Sequence, residues 1–345
     1  MTNKVLFILK RKENYGLSDY SSGRGLSTGL FNSATFVNDM LNDVGIESNL
    51  EVAIDNNCID SFVTKHKPTH VIIEALWVVP EKFKILIKLH PSVKWIVRLH
   101  SEIPFISGEG IFSKWILNYV KYDNVQIAVN APRILKELKH ILKHKDINDK
   151  LIYLPNYYPQ TYKKPKVLDR SKEYIDISSF GAIRLLKNQL LQAISAIKFA
   201  DNIGKKLRFH VNGGRLEMIG DSVIRNLREL FDGIEGHELV EHAWSERDEF
   251  LKLCETMDIG MQVSFSETFN IVSADHISQG VPMVVSDEVP WSSFISYTDP
   301  NSSDSIISAL YRAYILSWFN VWLNQNSLTH YTNETKWEWT NYFVK

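Results

Sequence analysis

The feature that most constrains this chain is a rhythm. Short apolar runs alternate with amphipathic stretches almost from end to end, the pattern of βαβ units building a parallel sheet. In the first half the strand candidates are residues 5–9, 50–54, 70–75, 94–100, 125–130 and 151–155, with amphipathic stretches at 30–44, 80–89, 111–120 and 132–142 between them. Around Tyr157-Tyr158-Pro159 and Lys163-Lys164-Pro165-Lys166 the rhythm breaks into prolines and lysines, as an exposed connector does. It then restarts with strands at 175–180, 207–211, 238–243, 259–263 and 283–285, and helices at 187–202, 222–231, 246–257 and 269–278. The class is α/β: two Rossmann-like, doubly wound parallel-sheet domains, expected to face each other across a cleft that holds the ligand.

Length supports the division, because 345 residues exceed what a single hydrophobic core usually serves. The domains are expected at 1–158 and 166–325, with a C-terminal helix at 326–345 packing back on the first. The aromatics of the tail, among them Trp318, Trp322, Trp337 and Trp339, read as core packing of terminal helices. Lys plus Arg, 39, nearly balances Asp plus Glu, 40, so no global basic field makes nucleic acid an obligatory partner. Cys58 and Cys254 form neither a disulfide framework nor a zinc spacing, which fits a reducing compartment. The run 5–9 is too short for a secretory leader and is followed by charge, and nothing approaches the roughly 18 apolar residues of a spanning helix. A cytoplasmic protein is expected, with no transmembrane segment, as a monomer or homodimer.

Two stretches carry chemistry. In Phe180-Gly181-Ala182-Ile183-Arg184-Leu185-Leu186-Lys187 a strand ends in Gly and leads into a helix. A helix N-terminus has unpaired N–H groups and partial positive charge, so Arg184 and Lys187 placed there make a diphosphate site; taken singly, the segment is also a solvated basic turn. The second stretch runs from Val263 through Glu267, Phe269, Asn270 and Ile271 to Asp275, strand into helix, and is followed by Gly280-Val281-Pro282. Glu267 falls before the helix and Asp275 about two turns into it, a span of roughly 12 Å suited to one elongated ligand. Carboxylates accept hydrogen bonds from vicinal hydroxyls, whereas either acid alone is equally a cap or a surface charge.

Together these stretches resemble the GT-B glycosyltransferases of the large retaining family 4. The resemblance implies that Gly181, Arg184 and Lys187 bind the diphosphate of a nucleotide sugar, and that Glu267 contacts the donor sugar. Asp275 takes the place of the family's usual Glu at the ribose, one methylene shorter. Phe269, Asn270 and Ile271 complete the nucleotide contacts. Leu154-Pro155-Asn156 at the seam, Asn212-Gly213-Gly214 after a strand, and Gly280 with Pro282 also match, with Asn212 and Gly213 assigned to the nucleotide. The resemblance makes 1–158 the acceptor domain and 166–325 the nucleotide-sugar donor domain, and in the first half His100 matches the histidine that approaches the donor sugar. The loop Gly23-Arg24-Gly25-Leu26-Ser27-Thr28-Gly29, ending at Gly29, is placed beside the diphosphate or the acceptor, a surface turn being the other reading. Glu74 and Glu102 end or follow strands and are either acceptor-orienting acids or loop charges.

The activity so implied is transfer of a sugar, expected from a UDP-sugar, to an acceptor hydroxyl with retention. No Asp-x-Asp motif of metal-dependent transferases occurs, so no metal and no separate cofactor is expected, and Arg184 and Lys187 carry the leaving-group charge. The acceptor is hydroxymethylated DNA, as in phage enzymes acting in the host cytoplasm, or a glycan or lipid. Arg133, Lys136, Lys139, Lys143 and Lys145 form a basic stretch that is a solvated helix face or the dock for such an anionic acceptor. The rival readings are a GT-B epimerase or phosphorylase, and a nucleic-acid-binding module. A nicotinamide dehydrogenase is disfavoured because no G-x-G-x-x-G follows the strands at 5–9 or 175–180, and a periplasmic sugar-binding protein because no export signal is present.

Overall fold

A computed structural model describes residues 3–10 and 28–344. By its internal contacts the chain divides into two units, one of Met1–Pro159 with Thr332–Lys345 and one of Gln160–Tyr331.

The first unit is built on a parallel sheet of six strands: β1 (Lys4–Lys10), β2 (Glu47–Ala53), β3 (His70–Glu74), β4 (Lys94–Leu99), β5 (Val125–Val129) and β6 (Leu151–Tyr153), in the order β2-β1-β3-β4-β5-β6. Side chains alternate between sheet faces, so Leu6 and Ile8 join a core with Val71, Trp95 and Ile127 while Val5, Phe7 and Leu9 join another with Ile72 and Ile96. Both faces are thus covered, which is why these strands read as unbroken apolar runs. Helices Pro80–Leu89 and Pro132–Lys143 each begin on a proline, whose fixed φ suits the first helical turn and whose missing N–H costs nothing there.

The 28-residue helix Ser317–Val344 is continuous through residue 326, and from Thr332 onward it belongs to the first unit. Trp339 is fully buried there, its ring 5.8 Å from that of Phe7 and its indole N–H donated to the Pro155 carbonyl at 2.8 Å. The core-packing reading thus fits Trp339, whereas Trp318, Trp322 and Trp337 are largely exposed.

The second unit has its own six-stranded parallel sheet of β7 (Tyr174–Ser178), β8 (Lys206–Val211), β9 (His237–Glu241), β10 (Ile259–Gln262), β11 (Met283–Ser286) and β12 (Tyr297–Thr298). Its order, β12-β11-β10-β7-β8-β9, reads 3-2-1-4-5-6 from the other edge, the order of a dinucleotide-binding doubly wound sheet. The chain winds outward in one direction from β7 and in the other from β10. At their carboxyl ends the flanking loops must diverge, leaving a crevice at this switch point.

Candidate functional site

The two motifs picked out in the sequence follow the two strands that flank the switch point of the second unit, β7 and β10. After β7 the backbone turns at Gly181, whose φ of 102° disfavours any side chain; among the described residues a Cβ there would meet only Val272 at 3.6 Å. Gly181 donates its N–H to Asn212 Oδ1 at 2.8 Å, so the buried Asn212 secures this turn. Gly213, next along, lies against Glu241, with which a Cβ would collide at 2.2 Å.

Arg184 precedes the one-turn 3-10 helix Leu185–Lys187, and the helix Gln189–Asn202 starts two residues after Lys187 rather than at it. Lys187 is nine-tenths buried, and its ammonium sits 2.5 Å from Glu267 Oε1 and 3.2 Å from Gln262 Oε1. Burial pushes the Lys187 ammonium down and Glu267 opposes that shift, leaving its pKa below the ordinary lysine value. Burial pushes the Glu267 carboxyl up, but the charges of Lys187 and Arg184 outweigh it and hold the group below the usual carboxylate value. Each group thus offsets part of the cost of burying the other's charge.

Three further residues shape this field. Arg184 pairs with Glu217 at 3.3 Å, Arg215 pairs with the same Glu217 at 2.5 Å, and the Arg215 guanidinium lies 4.7 Å over the Trp244 ring. Among the described residues, Arg184, Arg215 and Lys187 thus meet Glu217 and Glu267 around the turn after β7. Gln262, the last residue of β10, ties the parts together. Its Oε1 accepts from Lys187 and, at 2.9 Å, from Asn270 Nδ2, while its Nε2 donates to the Phe180 carbonyl at 2.8 Å. Sequence reasoning missed Gln262, Glu217 and Arg215. The one local signal was a lone amide closing the otherwise apolar strand Ile259–Gln262.

Asn270 adopts the left-handed region with φ 60° and caps the helix Ile271–Ser278, its Oδ1 accepting from the Ser273 N–H at 2.9 Å. That helix begins at Ile271, so Asp275 is just over one turn in, not two. Asp275 is buried and paired with Arg247 Nη2 at 2.8 Å, so Glu267 and Asp275 take separate cationic partners. Phe269 is buried with its ring near those of Trp291 and Tyr331, and its carbonyl accepts the Trp291 indole N–H at 2.6 Å; its side chain serves packing. Ile271 is half-buried at the helix start.

The remaining assigned residues belong to the first unit. His100 follows β4 and hydrogen-bonds through Nε2 to Glu74 at the carboxyl end of β3. Glu74 is fully buried and faces Arg98 across the register of β3 and β4, their side chains 3.1 Å apart. Arg98, also fully buried, donates to the Leu154 and Pro155 carbonyls at 3.0 Å and to Asn156 Oδ1 at 2.6 Å. Burial pushes Glu74 up, but Arg98 and His100 bring it net down; burial holds His100 below the ordinary histidine value against the pull of Glu74. Glu74 is therefore an ion-pair partner in the core rather than a loop charge. Residues 23–27 of the glycine-containing loop lie outside the described residues, and Gly29 sits in the first turn of the helix Thr28–Asp43. Arg133, Lys136, Lys139 and Lys143 are on the solvent face of the helix whose Ile134, Leu138 and Leu142 are buried, with Lys145 exposed just beyond it.

Among the described residues, no cluster of three or more His, Cys, Asp or Glu side chains could hold a metal ion, and no helix is long and apolar enough to cross a membrane. No family model matches the chain, and no curated protein does. Solved structures do. The sucrose-phosphate synthase of Thermosynechococcus elongatus matches with a TM-score of 0.66 at 10% identity over 99% of this chain and 98% of its own. A UDP-forming trehalose-phosphate synthase from Burkholderia xenovorans matches at 0.64 and 12% identity, with coverage of 99% and 98%. The S. aureus protein TarM, solved in complex with UDP, matches at 0.60 and 14% identity over 83% of this chain and 58% of its own. The chain has the GT-B fold of two Rossmann-like sheets with flanking helices.

Proposed function

We propose that this protein is a retaining, metal-independent glycosyltransferase that takes its sugar from a nucleoside diphosphate donor, expected to be a UDP-sugar, and delivers it to an acceptor hydroxyl. The observation that carries the reading is the cluster of Arg184, Lys187 and Arg215 with Glu217, Glu267 and Gln262 at the switch point of the second sheet. A diphosphate has the charge and size to meet Arg184, the third donor of the Lys187 ammonium and the N-terminus of the helix Ile271–Ser278. In the reaction the bond from the anomeric carbon to the diphosphate oxygen breaks and one to the acceptor oxygen forms on the same face. The acceptor proton passes to the departing diphosphate. Arg184 and Lys187 stabilise the charge that develops there, and Glu267, ionised beside Lys187, orients the sugar hydroxyls. His100 is assigned to the sugar, Asp275 to the ribose, and Gly181, Asn212, Gly213, Asn270 and Ile271 to the nucleotide, with Gly29 beside the diphosphate. Phe269 supports them from the core.

Support comes from the electrostatics of the cluster and from likeness in fold to structures whose names specify UDP or sugar-phosphate synthesis. A thermal-shift screen with UDP, GDP, ADP and their sugars tests it: one nucleoside diphosphate should raise Tm selectively, and no response to any would sink the reading. Analysing products with donor alone separates a transferase from an epimerase or phosphorylase, which alters or releases the sugar without an acceptor. The exposed cations of the helix Pro132–Lys143 favour an anionic acceptor, DNA or lipid, over a neutral one, and acceptor binding that weakens steeply with salt would bear that out.

A further inference from the structure

In the second unit, the corner between helices Ser303–Ile315 and Ser317–Val344 reverses the usual polarity of a soluble surface. Its inward side chains are amides. Asn320 and Asn324 are buried; Asn320 takes the Met283 N–H through Oδ1 and meets the Met283 carbonyl through Nδ2, both at 3.0 Å, and Asn324 takes the Ser293 N–H at 2.8 Å. These bonds fix the rotation of the helix about its axis, and that rotation turns its aromatics outward. Trp318 and Trp322, one turn apart, are 57% and 45% exposed with their rings stacked 6.1 Å apart, and Phe319 stacks on Trp322 at 5.9 Å. Ile315, 58% exposed, and Leu316 extend the same surface. An exposed apolar surface rimmed by polar groups marks a place of docking.

The charge beside it selects the occupant. The segment 163–172 runs along this corner, tied at its start by the bond from Gln325 Nε2 to the Lys163 carbonyl at 2.9 Å, and at its end by Arg170, which donates to the Tyr314 and Ile315 carbonyls at 3.4 and 3.3 Å. Lys163 pairs with Glu255, and Lys166 and Lys172 pair with Asp258. Lys164 and Arg170, both exposed, and Lys205, which donates to the Arg170 carbonyl at 2.9 Å, have no acidic partner among the described residues. Of the nearby acids, Asp169 accepts from Ser171 at 2.6 Å and Glu173 pairs with Lys206 at 2.6 Å. We propose that this corner docks the protein on a lipid bilayer, its aromatics seated at head-group level and anionic lipids meeting Lys164, Arg170 and Lys205. A bilayer interface supplies in one surface the acyl boundary for Ile315 and Leu316, the half-wet layer that tryptophan favours, and phosphates for the cations. The inference does not depend on the transferase reading.

The probes are vesicles of phosphatidylcholine alone and of phosphatidylcholine with about 30% phosphatidylserine, sedimented with the full chain. Neither head group carries a hydroxyl, so binding cannot be capture of a sugar acceptor. Affinity should be about tenfold or more higher for the anionic vesicles, and brominated acyl chains should quench tryptophan fluorescence on binding. Trp318→Ser with Trp322→Ser should lower the affinity about tenfold or more and remove the quenching. Lys164→Glu should lower it about fivefold. Both variants should keep the wild-type Tm, because the side chains replaced are exposed. Failure to sediment with either vesicle, or equal binding to both, overturns the proposal. So does binding that survives the tryptophan substitutions but is lost in Lys136→Glu with Lys139→Glu, which would move the dock to the helix Pro132–Lys143. A concentration-dependent dimer that the tryptophan substitutions disperse overturns it as well, because the surface would then belong to a second copy.

Discussion

Replacing Glu267 by Gln separates charge from shape at the cluster after β7 and β10. The amide keeps the volume and one hydrogen bond to Lys187, whose ammonium now lies at 2.5 Å from a carboxylate oxygen. Exchanging a charged for a neutral acceptor at a buried hydrogen bond costs about 1–3 kcal/mol, and Tm should fall by roughly 3–10 °C. A diphosphate oxygen bound to the same ammonium at ~2.8 Å would lie ~5 Å from the carboxylate. At an effective dielectric of about 20 that repulsion is ~3 kcal/mol per unit charge before solvent screening reduces it. The variant should therefore bind UDP as tightly as the wild type, or up to about tenfold more tightly, although its fold is weaker. Transfer should drop about a hundredfold or more, because no anion remains to orient the sugar. The assay pairs calorimetric titration of UDP with UDP release from the donor in the presence of acceptor. Wild-type turnover, or loss of UDP binding together with turnover, would refute the electrostatic division of labour between Lys187 and Glu267.

Other perturbations test the frame around the site. Gly280→Ala should cost about 2–4 kcal/mol by urea denaturation, since φ is 78° and the new Cβ would stand 2.2 Å from the Lys164 carbonyl oxygen. Trp339→Ala should cost about 3–5 kcal/mol, through the cavity left beside Phe7 and the loss of the indole hydrogen bond to the Pro155 carbonyl, which keeps its bond from Arg98. His276 is buried beside Phe180 and Ser178, and its burial holds the pKa at about 4. It titrates near 6.5 when unfolded, so its contribution is complete above that pH and drains away as pH falls through 6.5 towards 4. Urea midpoints at pH 7.5 and 5.0 should differ in that sense, and His276→Gln should flatten the difference.

How much of this could be read from the sequence followed from the range of the forces involved. Strands such as β1 and β4 were legible because a strand buried on both faces needs only its own run of Val, Leu, Ile and Phe. The two-residue β12 was not, because Tyr297 and Thr298 carry no period and are held by pairing with β11. Arg184, Lys187 and Glu267 stood out because charge beside a strand end is locally odd. Glu217, Arg215 and Gln262 did not, because each matters through a partner 33 to 75 residues away or through a fold-made turn. The same holds for Arg247, whose role is legible only once Asp275 is beside it. Helix starts were misplaced by two residues at Gln189 and Ile271, where Asn188 and Asn270 take left-handed conformations that no hydrophobic pattern encodes.

Each unit buries ionised groups at the carboxyl edge of its sheet, where polar loops meet an apolar core. Glu74 and Arg98 in the first unit and Lys187 and Glu267 in the second would each be costly alone, since an unpaired buried charge is worth several kcal/mol of destabilisation. Their pairing is differently complete. The Arg98 guanidinium makes bonds to two backbone carbonyls, to Asn156 and to Glu74, which use nearly all of its five donors on the protein itself. The Lys187 ammonium spends two of its three on Glu267 and Gln262. A group saturated by its own fold is suited to rigidity, and one that has a remaining donor among the described residues, near Arg184, is suited to an anion. That difference adds to the charged cluster at the switch point as a reason to assign the diphosphate to the second sheet.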